Sequence, residues 1–210
     1  MLRIIGGRHR GRRLETEPGD RIRPTADRVR EAVFNKLMHG LISEGGGALT
    51  GVRVADVFAG AGAMGLEALS RGAAHVTFVD LAGRSLRLIE SNAKALGEED
   101  HMSLLLRDGV EPGPAPSSGP GPSASEEAHG LVFLDPPYRS ALLGPALTAL
   151  AREGWIASGG IVVAELGATE DLEKPGGFAL IDERRYGAAK VAFLRYEGAD
   201  EHSHTSTSSA

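Results

Sequence analysis

The chain has 210 residues, of which 41% are apolar, enough for one globular domain with a full core, or one domain with a small appendage. It contains no cysteine, which excludes disulfides, thiolate zinc sites and cysteine nucleophiles. No apolar run approaches the ~20 residues of a membrane span, and Met1–Ile5 lacks the apolar stretch of a secretory signal. We therefore expect a cytoplasmic protein with no metal and no membrane partner, and a monomer as the default state.

The net charge of −5 is unevenly distributed along the chain. Residues 1–36 hold ten basic and five acidic residues, so this segment carries +5 and the remainder −10. Such asymmetry predicts a basic N-terminal arm that contacts nucleic-acid phosphates; an exposed arm that only aids solubility is the alternative. The candidate phosphate contacts are Arg3, Arg8, Arg10, Arg12, Arg13, Arg23, Arg28 and Arg30.

The predicted elements alternate in type along the chain. Leu2–Ile5 and Arg12–Thr16 are predicted to form a small hairpin, and Thr25 to cap a helix that runs to about His39. Amphipathic helices then alternate with buried-type strands, and a closing hairpin turns at Gly187. The strands are predicted at 52–58, 75–79, 102–107, 131–134, 160–165, 178–184 and 191–196, and the helices at 64–71, 83–96 and 141–152.

This alternation is typical of a doubly wound α/β domain, a mostly parallel sheet with helices on both faces. The terminal hairpin is expected to add an antiparallel edge strand. We divide the chain into a hairpin-and-helix extension at 1–40, a main domain at 41–197 and a tail at 198–210. The tail and the Pro/Gly/Ser-rich loop at 109–130 are predicted to be disordered, because they hold too few apolar residues to offset the entropy of ordering.

A glycine-rich turn follows the first strand of the main domain. Gly60, Gly62 and Gly65 have G-x-G-x-x-G spacing at the start of a helix, and Asp80 ends the next strand twenty residues after Gly60. Small residues let a ligand approach the backbone, and an acid at that distance can accept hydrogen bonds from ribose hydroxyls. The pattern predicts an adenosine-type ligand, although a purely structural turn has the same spacing.

Asp56, four residues before Gly60, favours S-adenosylmethionine as that ligand. A carboxylate placed there repels a dinucleotide pyrophosphate but attracts the sulfonium and ammonium groups of S-adenosylmethionine. Asp108, at the end of the third strand, is a candidate near the adenine; capping a turn is the alternative role for both acids. The candidate cofactor residues are Asp56, Phe58, Ala59, Gly60, Gly62, Asp80, Leu81 and Asp108.

The segment Asp135-Pro136-Pro137-Tyr138 follows an apolar strand and predicts the catalytic site. Two prolines stiffen the backbone, so that the Asp135 carboxylate and the Pro136 carbonyl are fixed acceptors for the hydrogens of a base amine. Such acceptors aim the nitrogen lone pair at a methyl donor by positioning and electrostatics. Tyr138 is placed to stack on the base. A proline-rich strand exit with a buried tyrosine is the structural alternative.

These residues resemble the bacterial RsmD-like family of 16S rRNA guanine-N2 methyltransferases, over nearly all of residues 1–197. The motifs that carry the resemblance are Arg3-Ile4-Ile5-Gly6-Gly7, Gly11-Arg12, the segment from Arg23-Pro24-Thr25 to Phe34-Asn35, the segment from Asp56 to Ala73, Asp135-Pro136-Pro137-Tyr138 and Arg185-Tyr186-Gly187.

The resemblance implies a Rossmann-like class I methyltransferase fold, S-adenosyl-L-methionine as donor and a guanine N2 of 16S rRNA as acceptor. It assigns Asp135, Pro136 and Tyr138 to the target base, and the Asp56–Gly62 loop with Asp80 to the donor. Arg23 and Thr25 are expected to close over the donor or the base. The expected partner is 16S rRNA within a small-subunit assembly intermediate.

Three other functions remain open from the residues alone. A DNA adenine-N6 or cytosine-N4 methyltransferase uses the same acceptor geometry, but the chain has no obvious target-recognition domain. An NAD-binding oxidoreductase accounts for the glycine spacing and leaves Asp135–Tyr138 unexplained. A non-catalytic RNA-binding assembly factor on the same fold is the third.

Overall fold

A computed structural model describes residues 2–17, 24–42, 49–116 and 128–198. Within these ranges the core is a seven-stranded sheet with the strand order β3-β2-β1-β4-β5-β7-β6. The strands are β1 Arg53–Val57, β2 His75–Asp80, β3 Met102–Leu106, β4 His129–Leu134, β5 Ile156–Gly167, β6 Phe178–Tyr186 and β7 Ala189–Tyr196.

The sheet is mixed, as its sequence predicts. Strands β1 to β5 run parallel to one another. β7 runs antiparallel to β5 on one side and to β6 on the other. The predicted antiparallel strand at this end of the sheet is thereby confirmed; it is β7, which lies between β5 and the edge strand β6.

Four α-helices are described: α1 Pro24–Lys36, α2 Ala63–Ser70, α3 Gly83–Leu96 and α4 Leu143–Arg152. A π-helical turn at Leu37–Leu41 continues α1, and a short 3-10 helix at Glu99–His101 leads into β3. α1 begins at Pro24, one residue before the predicted cap Thr25, because proline suits the first helical position. β5 begins at Ile156 rather than at residue 160, since a register shift between His129 and Leu131 of β4 accommodates the Gly-rich start of the strand.

Alternate residues of each central strand enter two different layers of the core. Val54 and Phe133 face a layer that contains α1, α2, α3 and the N-terminal arm, including Leu2, Ile4 and Leu14. Ala55 and Val132 face the layer that contains α4. The arm is therefore part of the main hydrophobic core and closes one side of the sheet.

The predicted N-terminal hairpin is present. Arg3 and Arg13 form an antiparallel bridge, and backbone bonds join Ile4 to Arg12 and Leu14 to Leu2. Of the two segments predicted to be disordered, residues 109–116 are held by contacts: the Trp155 indole N–H donates to the Gly113 carbonyl at 2.8 Å. Residues 117–127, residues 199–210 and Arg23 lie outside the described residues, as does the side chain of Thr25.

Within the described ranges, no helix has both the length and the apolar character needed to span a bilayer.

Candidate active site

A cavity of about 880 Å³ opens at the carboxyl ends of β1, β2, β4 and β5. The turn after β1, the Asp135–Tyr138 segment after β4 and the β6–β7 turn line it, and Leu2 and Thr16 of the arm close one wall. Ligand-binding sites of doubly wound sheets lie at the carboxyl ends of the strands. Its charged lining residues are Arg30, Asp80, Asp108, Asp135 and Glu165.

The glycine turn has a left-handed backbone at three positions. Phe58, Gly60 and Gly62 have φ values of 61°, 54° and 73°. A Cβ at Gly62 would lie 2.8 Å from Ile89, whereas a Cβ at Gly60 would meet nothing within 4 Å. Gly62 is thus required for packing of α2, while Gly60 leaves free space above the turn, where a ligand can approach the backbone.

Asp56 supports the turn from beneath. Its carboxylate is buried and accepts the Gly65 amide in the first turn of α2 at 2.8 Å. Burial raises the pKa of Asp56 to about 7, the Gly65 hydrogen bond lowers it, and the charge of Asp80 raises it. Asp56 therefore fixes the start of α2 directly beneath the turn.

Asp80 connects the turns after β1 and β2. The Gly60 amide donates to Asp80 Oδ2, and the Ala82 amide donates to Oδ1, both at 2.8 Å. Beside it, Leu81 is 65% exposed although it is apolar. Asp108 lies at the end of β3 and accepts the Val110 amide at 3.0 Å. These three predicted cofactor residues share one wall of the cavity.

The acceptor motif lies next to the glycine turn because β4 pairs with β1. Val57 is in register with Leu134, and the Asp135 amide donates to the Val57 carbonyl at 3.4 Å. Asp135, Pro136 and Tyr138 all line the cavity. The Tyr138 hydroxyl donates to Glu165 Oε1 at 2.5 Å, so the carboxyl end of β5 positions the aromatic ring.

The pKa of Asp135 is raised above its usual range. Crowding of the carboxyl by the surrounding protein raises the pKa most, although the residue is exposed to the cavity, followed by the negative charges of Glu165 and Asp56. Titratable groups with strongly shifted pKa values in a cavity are typical of functional sites.

The basic arm divides into exposed and buried arginines. Arg3, Arg8, Arg10, Arg12, Arg13 and Arg28 are exposed. Arg30, predicted as a phosphate contact, is instead only 4% exposed. Its guanidinium donates to the Arg3 carbonyl and to Asp27, and its side chain lines the cavity wall. Arg30 therefore holds the arm in place and is not available on the outer surface.

Two acids with defined roles were not predicted from the sequence. Glu165 lies near the carboxyl end of the apolar strand β5 and lines the cavity. An acid that follows an apolar run was the sequence signal available for it. Glu67 is fully buried and accepts the amides of Ile5 and Gly6 at 2.7 and 2.8 Å. A glutamate within an amphipathic helix gives no such signal.

Comparison with known proteins assigns the chain to a family. The family model described as conserved hypothetical protein 95 matches residues 2–195. YlbH of Bacillus subtilis is 33% identical over 198 residues, which are 94% of this chain and 100% of that protein. The ribosomal RNA small subunit methyltransferase D of Escherichia coli is 31% identical over 205 residues, covering 94% of this chain and 90% of the relative.

The solved structure of yhhF from Escherichia coli matches with a TM-score of 0.74 at 30% identity, over 94% of this chain and 99% of that chain. The matches extend from the arm to β7, and they include both the glycine turn and the acceptor motif. The chain belongs to the RsmD-like family of S-adenosylmethionine-dependent methyltransferases.

Proposed function

We propose that this protein transfers a methyl group from S-adenosylmethionine to the exocyclic N2 of a guanine in 16S rRNA, within a small-subunit assembly intermediate. The observation that carries the proposal is the shared cavity, in which Asp135, Pro136 and Tyr138 lie beside the glycine turn and Asp80. Membership of the family, and the similarity to ribosomal RNA small subunit methyltransferase D of Escherichia coli, support rRNA as the substrate.

The charges of the cavity fit a cationic donor. Four carboxylates and one guanidinium line it, and a carboxylate-rich wall attracts sulfonium and ammonium groups but repels a pyrophosphate. Asp80, Leu81 and Asp108 would hold the adenosine part, next to the open space at Gly60. S-adenosylmethionine supplies an activated methyl group. This charge pattern disfavours an NAD-binding oxidoreductase.

Asp135 and Pro136 prepare the acceptor. A base amine is a weak nucleophile because its lone pair is delocalised into the ring. The Asp135 carboxylate and the Pro136 carbonyl accept its two hydrogens and favour a geometry in which the lone pair points away from the ring plane. Tyr138, held by Glu165, stacks on the base. After methylation the amine is more acidic, and Asp135 or water takes the proton.

Direct analysis of the product tests the proposal. Purified protein and methyl-labelled S-adenosylmethionine are incubated with 16S rRNA, with small-subunit assembly particles and with DNA, all from cells that lack this protein. The products are digested to nucleosides and separated. We expect label in N2-methylguanosine from the RNA samples. Label in N6-methyladenine or N4-methylcytosine from DNA would replace the proposal with the DNA methyltransferase alternative, and no label in any sample would favour a non-catalytic RNA-binding protein.

Asp135→Ala tests the acceptor role. We expect kcat to fall by about 10²–10³, the usual effect of losing one fixed group that stabilises a transition state. Binding of S-adenosylhomocysteine, measured by calorimetry, should stay within about threefold, which shows that the fold and donor site are intact. The matched control is Asp100→Ala. Asp100 is an exposed acid in the 3-10 helix that leads into β3, at the end of the sheet away from the cavity. A kcat near the wild-type value in Asp135→Ala would refute the mechanism.

A further inference from the structure

The hairpin points away from the cavity. Leu2 and Thr16, at its two ends, line the cavity. The residues of its tip contact the carboxyl end of α2, where the Arg8 amide donates to the Ser70 carbonyl at 2.8 Å. The Arg8 side chain bonds Glu98, just beyond the end of α3, at 2.7 and 2.6 Å. α2 and α3 run antiparallel to the strands. The hairpin tip, which contacts the carboxyl ends of these helices, therefore lies at the amino ends of the strands, opposite the cavity.

The returning half of the hairpin runs along α3 from its end to its start. The Arg12 guanidinium donates to the Ala95 carbonyl, and the Glu15 amide donates to Asn92. Glu17 pairs with Arg84 in the first turn of α3. A helix of this length rises about 20 Å. The arm and α3 therefore form one continuous surface that leads from the cavity to the far edge of the domain.

The acids of the arm are bonded to α3. Glu15 and Glu17 are used against α3, where they bond Ser91 and Arg84. Arg3 and Arg13, in contrast, are directly opposed across the hairpin bridge and both exposed. Two like charges opposite each other destabilise a strand pair. Asp27 lies 3.7 Å from Arg3 and offsets that repulsion, whereas Arg13 stays exposed on the outer face, where an anionic partner can reach it.

α3 adds two basic residues beside the arm. Arg87, Ser91 and Lys94 are spaced by four and three residues, so they share one stripe of the helix. Ser91 also bonds Glu15 of the arm, which places the stripe next to the hairpin. Arg87 and Lys94 are exposed, as is Glu90 on the same face of the helix, and no predicted site includes the two basic residues.

We propose that Arg87 and Lys94 of α3, together with Arg10, Arg12 and Arg13 of the arm, form a phosphate-binding track for the substrate RNA. The inference rests on the proposed function, because the track serves an RNA whose target base occupies the cavity. Charge complementarity identifies the occupant as the RNA backbone that leads away from that base. Phosphate contacts of this kind position a nucleic acid and carry no base specificity.

The track predicts that the substrate must be long. An RNA that reaches both Asp135 and Arg10 has to extend over about the length of α3, on the order of 20 Å. A short oligonucleotide around the target base fills the cavity and touches none of the track. Its binding should therefore depend less on salt than that of full-length 16S rRNA.

The double variant Arg87→Gln/Lys94→Gln tests the track. The dissociation constant for 16S rRNA is measured between 50 and 300 mM salt for the wild type, this variant and a control, Arg152→Gln/Arg184→Gln. The control removes the same charge from exposed sites on α4 and β6. We expect the slope of log Kd against log salt to become shallower by about 1.4 in the α3 variant, the value for two single-strand phosphate contacts, and not in the control.

The results also separate this inference from the proposed function. Methylation assays should show a raised KM for 16S rRNA with an unchanged kcat, and unchanged binding of S-adenosylhomocysteine. A wild-type slope in the α3 variant, with wild-type protein still forming N2-methylguanosine, would overturn the track alone. Absence of N2-methylguanosine with wild-type protein would instead refute the proposed function, whatever the slope. An equal change in the control would mean that only overall charge matters, and would also overturn the track.

Discussion

The acids proposed for the site stand at or near the ends of strands, and that position is how the sequence locates them. Asp56, Asp80 and Asp135 each follow an apolar run, so the sequence places them at one edge of a parallel sheet. Their individual roles depend on neighbours that are distant in the chain. Asp56 proves to be buried beneath the turn, and Glu165 proves to contact Tyr138. Neither relation is visible before the strand order is known.

Glu165→Gln is expected to shift the pH dependence of methylation. Asp135 is an acceptor when ionised, so kcat/KM should rise as the pH increases through its raised pKa. The negative charge of Glu165 contributes to that raised pKa, and the neutral amide removes it. The midpoint of the kcat/KM profile should therefore move to lower pH, while the amide oxygen can still accept the Tyr138 hydroxyl.

Profiles of kcat/KM report the ionisation of the free enzyme, so they are the quantity to compare. Glu99→Gln, an exposed acid on the 3-10 helix, should leave the midpoint where the wild type has it. If Glu165→Gln leaves the midpoint unchanged, or raises it, Asp135 is not the group that controls the profile.

At the scale of elements, hydrophobic periodicity predicts the order of strands and helices, because each apolar face must enter a core layer. α3 begins and ends at the residues that the sequence predicts. Gly97, with a left-handed φ of 71°, ends the helix, and glycine is a strong sequence signal for such an end. β5 begins earlier than predicted, since its glycines form part of a bulged strand. Glycines are typical of turns, so a prediction from sequence places glycines that lie inside a strand outside it.

The glycine turn offers a matched pair of substitutions. Gly60 and Gly97 both have a left-handed backbone, with φ of 54° and 71°, and a Cβ at either would meet nothing within 4 Å. Gly60→Ala and Gly97→Ala should each lose about 1–2 kcal/mol of stability through backbone strain. Only Gly60→Ala places a methyl group above the proposed donor loop.

We therefore expect Gly60→Ala to bind S-adenosylhomocysteine at least about tenfold more weakly, and Gly97→Ala to bind as the wild type does. Thermal unfolding gives the stability of each variant, and calorimetry gives the affinity. Equal affinities in the two variants would show that the space above Gly60 does not hold the donor.

At the scale of the whole molecule, the N-terminal extension and the main domain share one core. The sequence predicts a basic hairpin-and-helix extension at residues 1–40, which its positive charge distinguishes from the rest of the chain. Leu2, Ile4 and Leu14 nevertheless pack with α2 and α3 in a single cluster. One of the contacts that join the two parts is made by Glu67, whose carboxylate accepts the amides of Ile5 and Gly6 and also bonds Arg71 at 2.7 Å.

Glu67→Gln should release the arm. The amide nitrogen cannot accept a hydrogen bond, so one backbone donor of the arm is left buried and unpaired, and Arg71 loses its charged partner. Breaking a buried ion pair in this way costs about 3–5 kcal/mol and should lower the melting temperature on the order of 10 °C. Trypsin should then cleave within Arg8–Arg13 before it cleaves the main domain. Glu90→Gln, at an exposed position on α3, controls for the loss of charge. If Glu67→Gln keeps the wild-type melting temperature and trypsin resistance, the apolar side chains of the arm hold it without Glu67.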